Sequence, residues 1–229
     1  MNQRFAAIIF DLDGVIVDSE PRHERAFREI FREMGYGETH GMDFPLYYGR
    51  SDRALWVDFV AKHKPPRSIE ELAEWKQRRF IEIIRDEQPI FVGLPELLEK
   101  LAQRYRMAVA SGSFHPVIDE VLAIKNLRRF FPVIVSVQDV NRGKPAPDVF
   151  LRAAELLGVP PAECCVVEDA AAGVEAALAA NMAVIAITNS LSAKQLARAT
   201  RVVDNYDEIE RLLLPQSRPL TSQEVRSST

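Results

Sequence analysis

Two pairs of acidic residues have types and spacing that suit chemistry. Asp11 and Asp13 follow a short apolar run near the start of the chain, and Glu168 and Asp169 follow another apolar run. Carboxylates this close repel one another unless a cation or a shared proton reduces their charge. Mg²⁺ prefers such oxygen ligands and usually leaves coordination positions for substrate phosphate. A single Asp-x-Asp also occurs in solvated loops and helix caps, so the prediction of a Mg²⁺ site rests on both pairs together.

Three further residues indicate an anion site. Ser111 and Gly112 end an apolar run just ahead of a predicted helix, whose first N–H groups can bind phosphate oxygens. Lys144 stands between Gly143 and Pro145, where its charge can neutralise a nucleophile and a phosphate together. Serines at strand ends are more often helix caps, and loop lysines are usually solvated. The anion site is therefore predicted only from the combination of these residues with the acidic pairs.

The order of apolar runs shows how the chain would position these residues. Short runs bounded by polar or glycine residues predict buried parallel strands, and helical spacing predicts a helix after most of them. The predicted strands cover residues 6–10, 107–110, 133–137, 164–167, 183–187 and 201–203. The predicted helices cover residues 116–122, 147–157, 173–180, 193–199 and 207–214. These repeated units predict an α/β fold, a Rossmann-like three-layer core with ligands beyond the carboxyl ends of its parallel strands.

A long segment separates the first two predicted strands and is too long to be a structureless connection. Apolar residues at helical spacing, and a capping box formed by Ser68 and Glu71, predict three helices in this segment. We therefore expect an all-helical cap domain at residues 15–88, inserted into a core of residues 1–14 and 89–216. Hinges are expected near residues 17–21 and 89–93, and the polar residues 217–229 are expected to form a flexible tail.

The composition is typical of a globular protein, since 47% of the 229 residues are hydrophobic and 27% are charged. A formal net charge of −4 argues against general attraction to nucleic acid or anionic membranes. The first apolar run is too short for a signal peptide or a membrane span, which predicts a cytoplasmic protein. Cys164 and Cys165 are expected to be buried on opposite faces of one strand. Both a monomer and a small homo-oligomer remain open.

Four strand-end motifs in this order, with a helical insertion after the first, resemble the haloacid dehalogenase (HAD) superfamily over nearly the whole chain. The resemblance implies that Asp11 attacks phosphorus to form an aspartyl-phosphate. It implies that Asp13 acts as general acid for the leaving alcohol and then as general base for water. It also implies that Ser111 and Lys144 hold the phosphoryl oxygens. Dehalogenation is disfavoured, because a halide leaving group needs no acid such as Asp13.

The same resemblance implies a particular ligand set for Mg²⁺. Asp11, Asp169 and the main-chain carbonyl of Asp13 would hold the ion, and Glu168 is a further candidate ligand. Such a site spreads the charge of the transition state over preorganised groups.

Within the superfamily, residues 11–15 followed by 18–21 and a histidine are similar to the branch with sugar-phosphate phosphatases and β-phosphoglucomutase. That branch carries a mobile helical cap, which implies that cap residues contribute to substrate specificity. The candidate cap residues are His23, Gly49, Arg50 and Lys76. A single histidine or arginine on such a helix is more often an ordinary surface or packing residue.

Departures from that branch favour hydrolysis over isomerisation. Its mutases resemble Ser-x-Ser-Lys-Asn after the second strand, whereas residues 111–115 read Ser-Gly-Ser-Phe-His and lack the basic residue for a second phosphate. Ser19 also stands where the mutases tend to have threonine, although Lys76 has a cap context similar to theirs. Asn181 replaces a more usual glycine at a helix end and is expected to adopt a left-handed conformation.

The sequence therefore predicts a Mg²⁺-dependent phosphatase that hydrolyses small phosphorylated metabolites, such as sugar phosphates. One alternative is a mutase of the β-phosphoglucomutase type. Another alternative, from a different class, is a catalytically silent binding module on the same fold. The combination of Asp11, Asp13, Ser111, Lys144 and Asp169 argues against a silent module.

Overall fold

The computed structural model describes residues 5–47 and 52–214. Within these residues, parallel strands form one sheet in the order β3-β2-β1-β4-β5-β6. The strands are β1 (Ala7–Phe10), β2 (Arg106–Ala110), β3 (Val133–Val135), β4 (Cys164–Glu168), β5 (Ala183–Ile187) and β6 (Arg201–Val203). The first strand is central and completely buried, and it pairs with β2 on one side and β4 on the other.

Helices cover both faces of the sheet and fill the segment between β1 and β2. They are α1 (Glu20–Glu33), α2 (Asp52–His63), α3 (Ile69–Glu87), α4 (Leu94–Ala102), α5 (His115–Ala123), α6 (Asp148–Leu157), α7 (Ala171–Ala179) and α8 (Tyr206–Leu213). Apolar residues of α4, α5 and α8 pack on one sheet face, and those of α6 and α7 pack on the other. The predicted Rossmann-like three-layer α/β fold is confirmed.

The period-two alternation of the buried strands decides which side chains meet which helix layer. Ile8 and Phe10 of β1 belong to the cluster with α4, α5 and α8, whereas Ile9 belongs to the cluster with α6 and α7. Cys165 and Cys164 divide in the same way and are both fully buried. The expectation that the two cysteines lie buried on opposite faces is therefore confirmed.

Helices α1, α2 and α3, which come between β1 and α4, share a hydrophobic core of their own that is rich in aromatic residues. Phe27 and Phe31 of α1 pack against Trp56 and Phe59 of α2, with ring centroids 4.5–5.7 Å apart in three of these pairs. The capping box at Ser68 is present and opens α3 as predicted. An all-helical insertion is therefore present, while its boundaries at residues 15 and 88 remain a prediction.

Two short connections join the inserted helices to the sheet, and they run side by side. The Asp18 N–H donates to Pro89 O at 2.9 Å, and Val17 forms an isolated antiparallel bridge with Ile90. Both connections coincide with the predicted hinges. The predicted cap residues Gly49 and Arg50 lie outside the described residues, as does the tail at 217–229.

Local predictions differ from the structure at several places. The predicted helix at 193–199 is wrong, because the segment forms only turns: Ser192 O accepts from Gln195 N–H and Leu196 N–H, and the ladder does not continue. The third strand ends at Val135, two residues earlier than expected.

Asn181 does adopt the expected left-handed conformation, with φ of 59°. None of the helices in the described residues has the length and apolar character that a membrane crossing requires.

Candidate active site

Three buried carboxylates meet at the carboxyl edge of the sheet. Asp11 directly follows β1, and its N–H donates to Val167 O of the neighbouring strand β4 at 2.9 Å. Glu168 ends β4, and Asp169 follows it. One carboxylate oxygen from each of the three acids lies within 4.8 Å of the others. The pairing of β1 with β4 is therefore what brings these acids together.

Lys144 is the cation of this cluster. It lies in the loop between β3 and α6, and its Nζ donates to Asp11 Oδ1 at 2.5 Å and to Glu168 Oε1 at 2.8 Å. Burial alone would lower the pKa of Lys144, but the charges of Asp11 and Glu168 outweigh burial and raise it. The lysine is therefore charged, and it holds the Asp11 carboxylate in one orientation.

The backbone after β4 fixes the Glu168 side chain. Its Oε2 accepts from the N–H groups of Asp169 at 2.7 Å and Ala170 at 2.8 Å. Gly173 of α7 lies against this carboxylate, and a Cβ at that position would overlap it. Glu168 is therefore held at one end by backbone donors and at the other end by Lys144.

The Asp169 carboxylate depends on a glycine and on the loop after β5. Gly14 has φ of 70°, and a Cβ there would overlap the Asp169 carboxylate. Ser190 Oγ donates to Asp169 Oδ2, and the neighbouring Asn189 donates to Gly14 O at 2.8 Å. Burial, together with the charges of Glu168 and Asp11, raises the pKa of Asp169 well above its usual range.

The three acids suit a divalent cation. Burial raises the pKa of Asp11, and the neighbouring carboxylates add to this effect while Lys144 opposes it. Within the described residues, one lysine faces three buried carboxylates, which leaves excess negative charge in a dry environment. Oxygen ligands in this arrangement fit Mg²⁺, which would remove the mutual repulsion. The side chain of Asp13 is not part of this group.

Asp13 instead has partners in both the sheet layer and the inserted helices. Ser113 Oγ, beyond β2, donates to Asp13 Oδ2 at 2.6 Å, and His23 Nε2 of α1 lies 3.5 Å from Asp13 Oδ1. Burial by itself would raise the pKa of Asp13, but His23 and Ser113 outweigh it and hold the pKa below its usual range. Asp13 is therefore ionised in this state.

Two candidate cap residues, His23 and Lys76, lie in contact. Lys76 Nζ meets His23 Nδ1 and donates to Asp52 Oδ2 at 2.6 Å. A lysine donating to Nδ1 places the ring proton on Nε2, which faces Asp13. The His23 ring stacks on Phe80 with centroids 3.9 Å apart and an interplanar angle of 7°. The stack and the lysine together set the orientation of the imidazole.

Ser111 and Gly112 form the turn between β2 and α5. Ser111 is fully buried, and its Oγ accepts from Ser113 N–H at 2.9 Å. The Cβ direction of Gly112 meets no atom within 4 Å, so the backbone is open there. The turn precedes the first residue of α5, His115, whose helix N-terminus suits an anion. Its role in phosphate binding remains a prediction.

Three residues that contact the site were not predicted from the sequence. Ser113 was visible in the Ser-Gly-Ser run, but its contact with Asp13 depends on how β1 and β2 pair. Ser190 lies just beyond β5, so applying the strand-end rule to the fifth strand as well would have found it. Asp52 belongs to no motif, and its contact with Lys76 depends on the packing of α2 on α3.

The fold and the buried acids define an α/β protein with a cluster of carboxylates at the carboxyl edge of its parallel sheet, next to inserted helices. A model of the family described as haloacid dehalogenase-like hydrolase matches residues 5–181. The chain belongs to this family, so the resemblance inferred from the motifs is confirmed.

Individual relatives match this chain over most of its length. The fructose-1-phosphate phosphatase YqaB of Escherichia coli (strain K12) is 32% identical over 186 residues, which cover 80% of this chain and 96% of that protein. The chloroplastic protein SUPPRESSOR OF QUENCHING 1 of Arabidopsis thaliana is 38% identical over 197 residues, which cover 82% of this chain but 18% of that protein. A mutant of CbbY from Rhodobacter sphaeroides, crystallised with xylulose-(1,5)bisphosphate, has a TM-score of 0.76 at 26% identity, covering 89% of this chain and 96% of that chain.

Proposed function

We propose that this protein is a Mg²⁺-dependent phosphatase that hydrolyses small phosphorylated metabolites through an aspartyl-phosphate on Asp11. The observation that carries the proposal is the geometry of Asp11: Lys144 holds one of its oxygens at 2.5 Å, beside the buried acids Glu168 and Asp169. A lysine and a cation on one carboxylate position it for attack while drawing the phosphoryl oxygens toward positive charge.

The chain's own residues account for both halves of the reaction. An Asp11 oxygen attacks phosphorus, the bond from phosphorus to the leaving oxygen breaks, and Asp13 gives that oxygen a proton. Asp13 then takes a proton from water, whose oxygen attacks phosphorus and frees phosphate and the Asp11 carboxylate. Asp13 is ionised before substrate arrives, and the negative charge of a bound phosphate raises its pKa toward the protonated form. Ser111 and Lys144 bind the phosphoryl oxygens.

Asp11, Asp169 and Glu168 are the residues that would hold Mg²⁺, with the Asp13 carbonyl as a further ligand. When bound, Mg²⁺ neutralises charge that develops on the phosphoryl oxygens. Lys144 supports the same oxygens from the side of Asp11. Ser190 orients the Asp169 carboxylate, so the loop after β5 supports the ion indirectly.

A sugar-like leaving group is favoured by the relatives. YqaB is named a fructose-1-phosphate phosphatase, and two hexitol phosphatases of Escherichia coli are 30% and 34% identical to this chain. The inserted helices place His23 beside Asp13, where the leaving oxygen must receive its proton. The leaving group therefore lies between Asp13 and the inserted helices.

The decisive test is phosphate release from a panel of sugar phosphates, hexitol phosphates, glycolate phosphate and nucleotides. We expect steady release from a sugar or hexitol phosphate with Mg²⁺. The rival mutase gains support from the contact of Lys76 with His23 and is tested with β-glucose 1-phosphate plus a bisphosphate activator. Conversion to glucose 6-phosphate without free phosphate would overturn the hydrolase proposal. Absence of turnover on every compound would support a silent binding module.

Metal binding is expected to be measurable without turnover. Saturating Mg²⁺ at about 100 times its Kd stabilises a protein by about 2.7 kcal/mol, which for this length raises the midpoint of thermal unfolding by about 5–10 °C. Asp169→Asn should remove most of this shift, because it deletes a ligand charge in the group of three acids. Differential scanning fluorimetry with and without Mg²⁺ measures the shift. The control is Asp119→Asn, exposed on α5, and an equal shift in both variants would contradict the assigned ligand set.

A further inference from the structure

The inserted helices contain a lysine whose charge is already satisfied. Lys76 of α3 is 1% exposed, contacts His23 Nδ1 and donates to Asp52 Oδ2 at 2.6 Å. Its Nζ also lies 4.9 Å from the centre of the Phe27 ring and 5.0 Å from that of Phe80. A buried ammonium with an anion on one side and aromatic faces on the others has little charge left for a ligand.

The carboxylate that pairs with this lysine is more open. The Asp52 side chain is 42% exposed, and Asp52 is the first residue of α2. A continuous chain of contacts runs from Asp52 through Lys76 and His23 to Asp13, with the last gap at 3.5 Å. Burial would raise the pKa of Asp52, but the charge of Lys76 and its hydrogen bond outweigh burial and lower the pKa. Asp52 is therefore an anion on the leaving-group side of Asp13.

The loop beyond β2 contacts Asp13 through Ser113, and its one basic side chain is already paired with an acid. Phe114 follows Ser113 with its side chain about half exposed, and the next residue is His115. The His115 ring lies 3.0 Å from Asp139, so this histidine is paired with a carboxylate as well. Among the described residues 5–47 and 52–214, Lys76 and His115 are thus each engaged by an acid, and the Asp52 side chain is partly exposed.

We propose that Asp52 determines leaving-group specificity by rejecting a second phosphate and favouring an uncharged, polyhydroxy leaving group. The inference rests on the proposed phosphatase function, because it concerns the same site. A dianion entering beyond Asp13 would meet the carboxylate end of the Asp52–Lys76 ion pair, because the Asp52 side chain is 42% exposed whereas that of Lys76 is 1% exposed. Hydroxyl groups, in contrast, can donate hydrogen bonds to a carboxylate.

The test compares fructose 1-phosphate with fructose 1,6-bisphosphate as substrates of the same enzyme, by phosphate release. For the wild type we expect kcat/KM to be at least about tenfold lower for the bisphosphate. Asp52→Asn removes the anion and leaves the Lys76 ammonium uncompensated, so the bisphosphate-to-monophosphate ratio should rise roughly tenfold. Asp52→Glu should keep the wild-type ratio. A ratio cancels any loss of folded enzyme or of Asp13 alignment.

The matched control is Asp58→Asn on the same helix, where the carboxylate accepts from Tyr47 rather than from Lys76. This control should leave the substrate ratio unchanged. Phosphate release from fructose 1-phosphate with an unaltered ratio in Asp52→Asn would overturn the role of Asp52 and leave the phosphatase proposal standing. A wild type equally active on both substrates would do the same, even if Asp52→Asn failed to fold. A wild type that releases no phosphate from either compound, and none from any other monoester of the panel, would contradict the phosphatase proposal itself.

Discussion

An Asp11→Asn variant is expected to lose phosphatase turnover by at least roughly a thousandfold and to keep its fold. Asparagine has nearly the same shape, but its amide is a poor nucleophile and brings no charge to a cation. Burial raises the pKa of the Asp11 carboxyl, so the change removes a charge that is unfavourably buried. Lys144 keeps Glu168 as a partner at 2.8 Å, and the buried lysine is therefore not left alone.

Phosphate release at saturating substrate and Mg²⁺ measures the loss, and circular dichroism with a thermal melt shows that the variant is folded. Asp119→Asn makes the same chemical change on the exposed side of α5 and should retain wild-type turnover. A folded Asp11→Asn enzyme with substantial activity would remove Asp11 from the role of nucleophile. An unfolded variant would instead show that the Asp11–Lys144 contact is needed for stability.

The placement of the acids was predictable from sequence because it follows from strand pairing. Asp11 and Glu168 lie at the ends of strands that the apolar runs identify, and parallel neighbours end at the same edge of the sheet. Lys144 was identifiable from the rigid Gly-Lys-Pro sequence, although its simultaneous contact with both acids was not. That contact spans 133 residues to Asp11 and depends on how the loop before α6 packs.

The side-chain contacts within the inserted helices could not be predicted from the sequence, for a different reason. Periodicity locates the apolar face of a helix, but it does not say which polar residue at the edge of that face meets another helix. The contact of Lys76 with Asp52 and His23 depends on the relative rotation of three helices. Helix α4, by comparison, shows apolar residues at 94, 97, 98 and 101, a spacing that the same rule could have recognised.

Asp13 connects the two parts of the site. Ser113 ties it to the sheet layer, and His23 ties it to α1. Among the described residues, the Asp11 side chain hydrogen-bonds instead to Lys144, which comes from the loop before α6. Substitutions in the inserted helices should therefore act through Asp13 and the leaving group, whereas substitutions around Glu168 should act through the nucleophile and the metal.

Gly173→Ala is expected to damage stability and turnover together, although Gly173 itself does no chemistry. A Cβ at this position would overlap the Glu168 carboxylate, so that side chain must move away from its backbone donors and from Lys144. Overpacking typically costs about 1–3 kcal/mol, disruption of a buried ion pair adds to this, and the gain in helix propensity returns at most about 1 kcal/mol. We expect a net loss of about 2–4 kcal/mol and roughly a hundredfold lower turnover.

A double-mutant cycle with Glu168→Ala isolates the steric cause. Thermal or urea unfolding is measured for each single variant, for the pair and for the wild type. If the overlap with Glu168 is responsible, Gly173→Ala should cost no stability in the Glu168→Ala background. Only the helix-propensity gain of alanine over glycine, at most about 1 kcal/mol, should remain there. Gly112→Ala, whose Cβ would meet no atom within 4 Å, serves as the stability control and should change unfolding by less than about 0.5 kcal/mol. An equal cost of Gly173→Ala in both backgrounds would contradict the proposed overlap, and it would place the function of this glycine in the backbone of α7 rather than in the space that it leaves for Glu168.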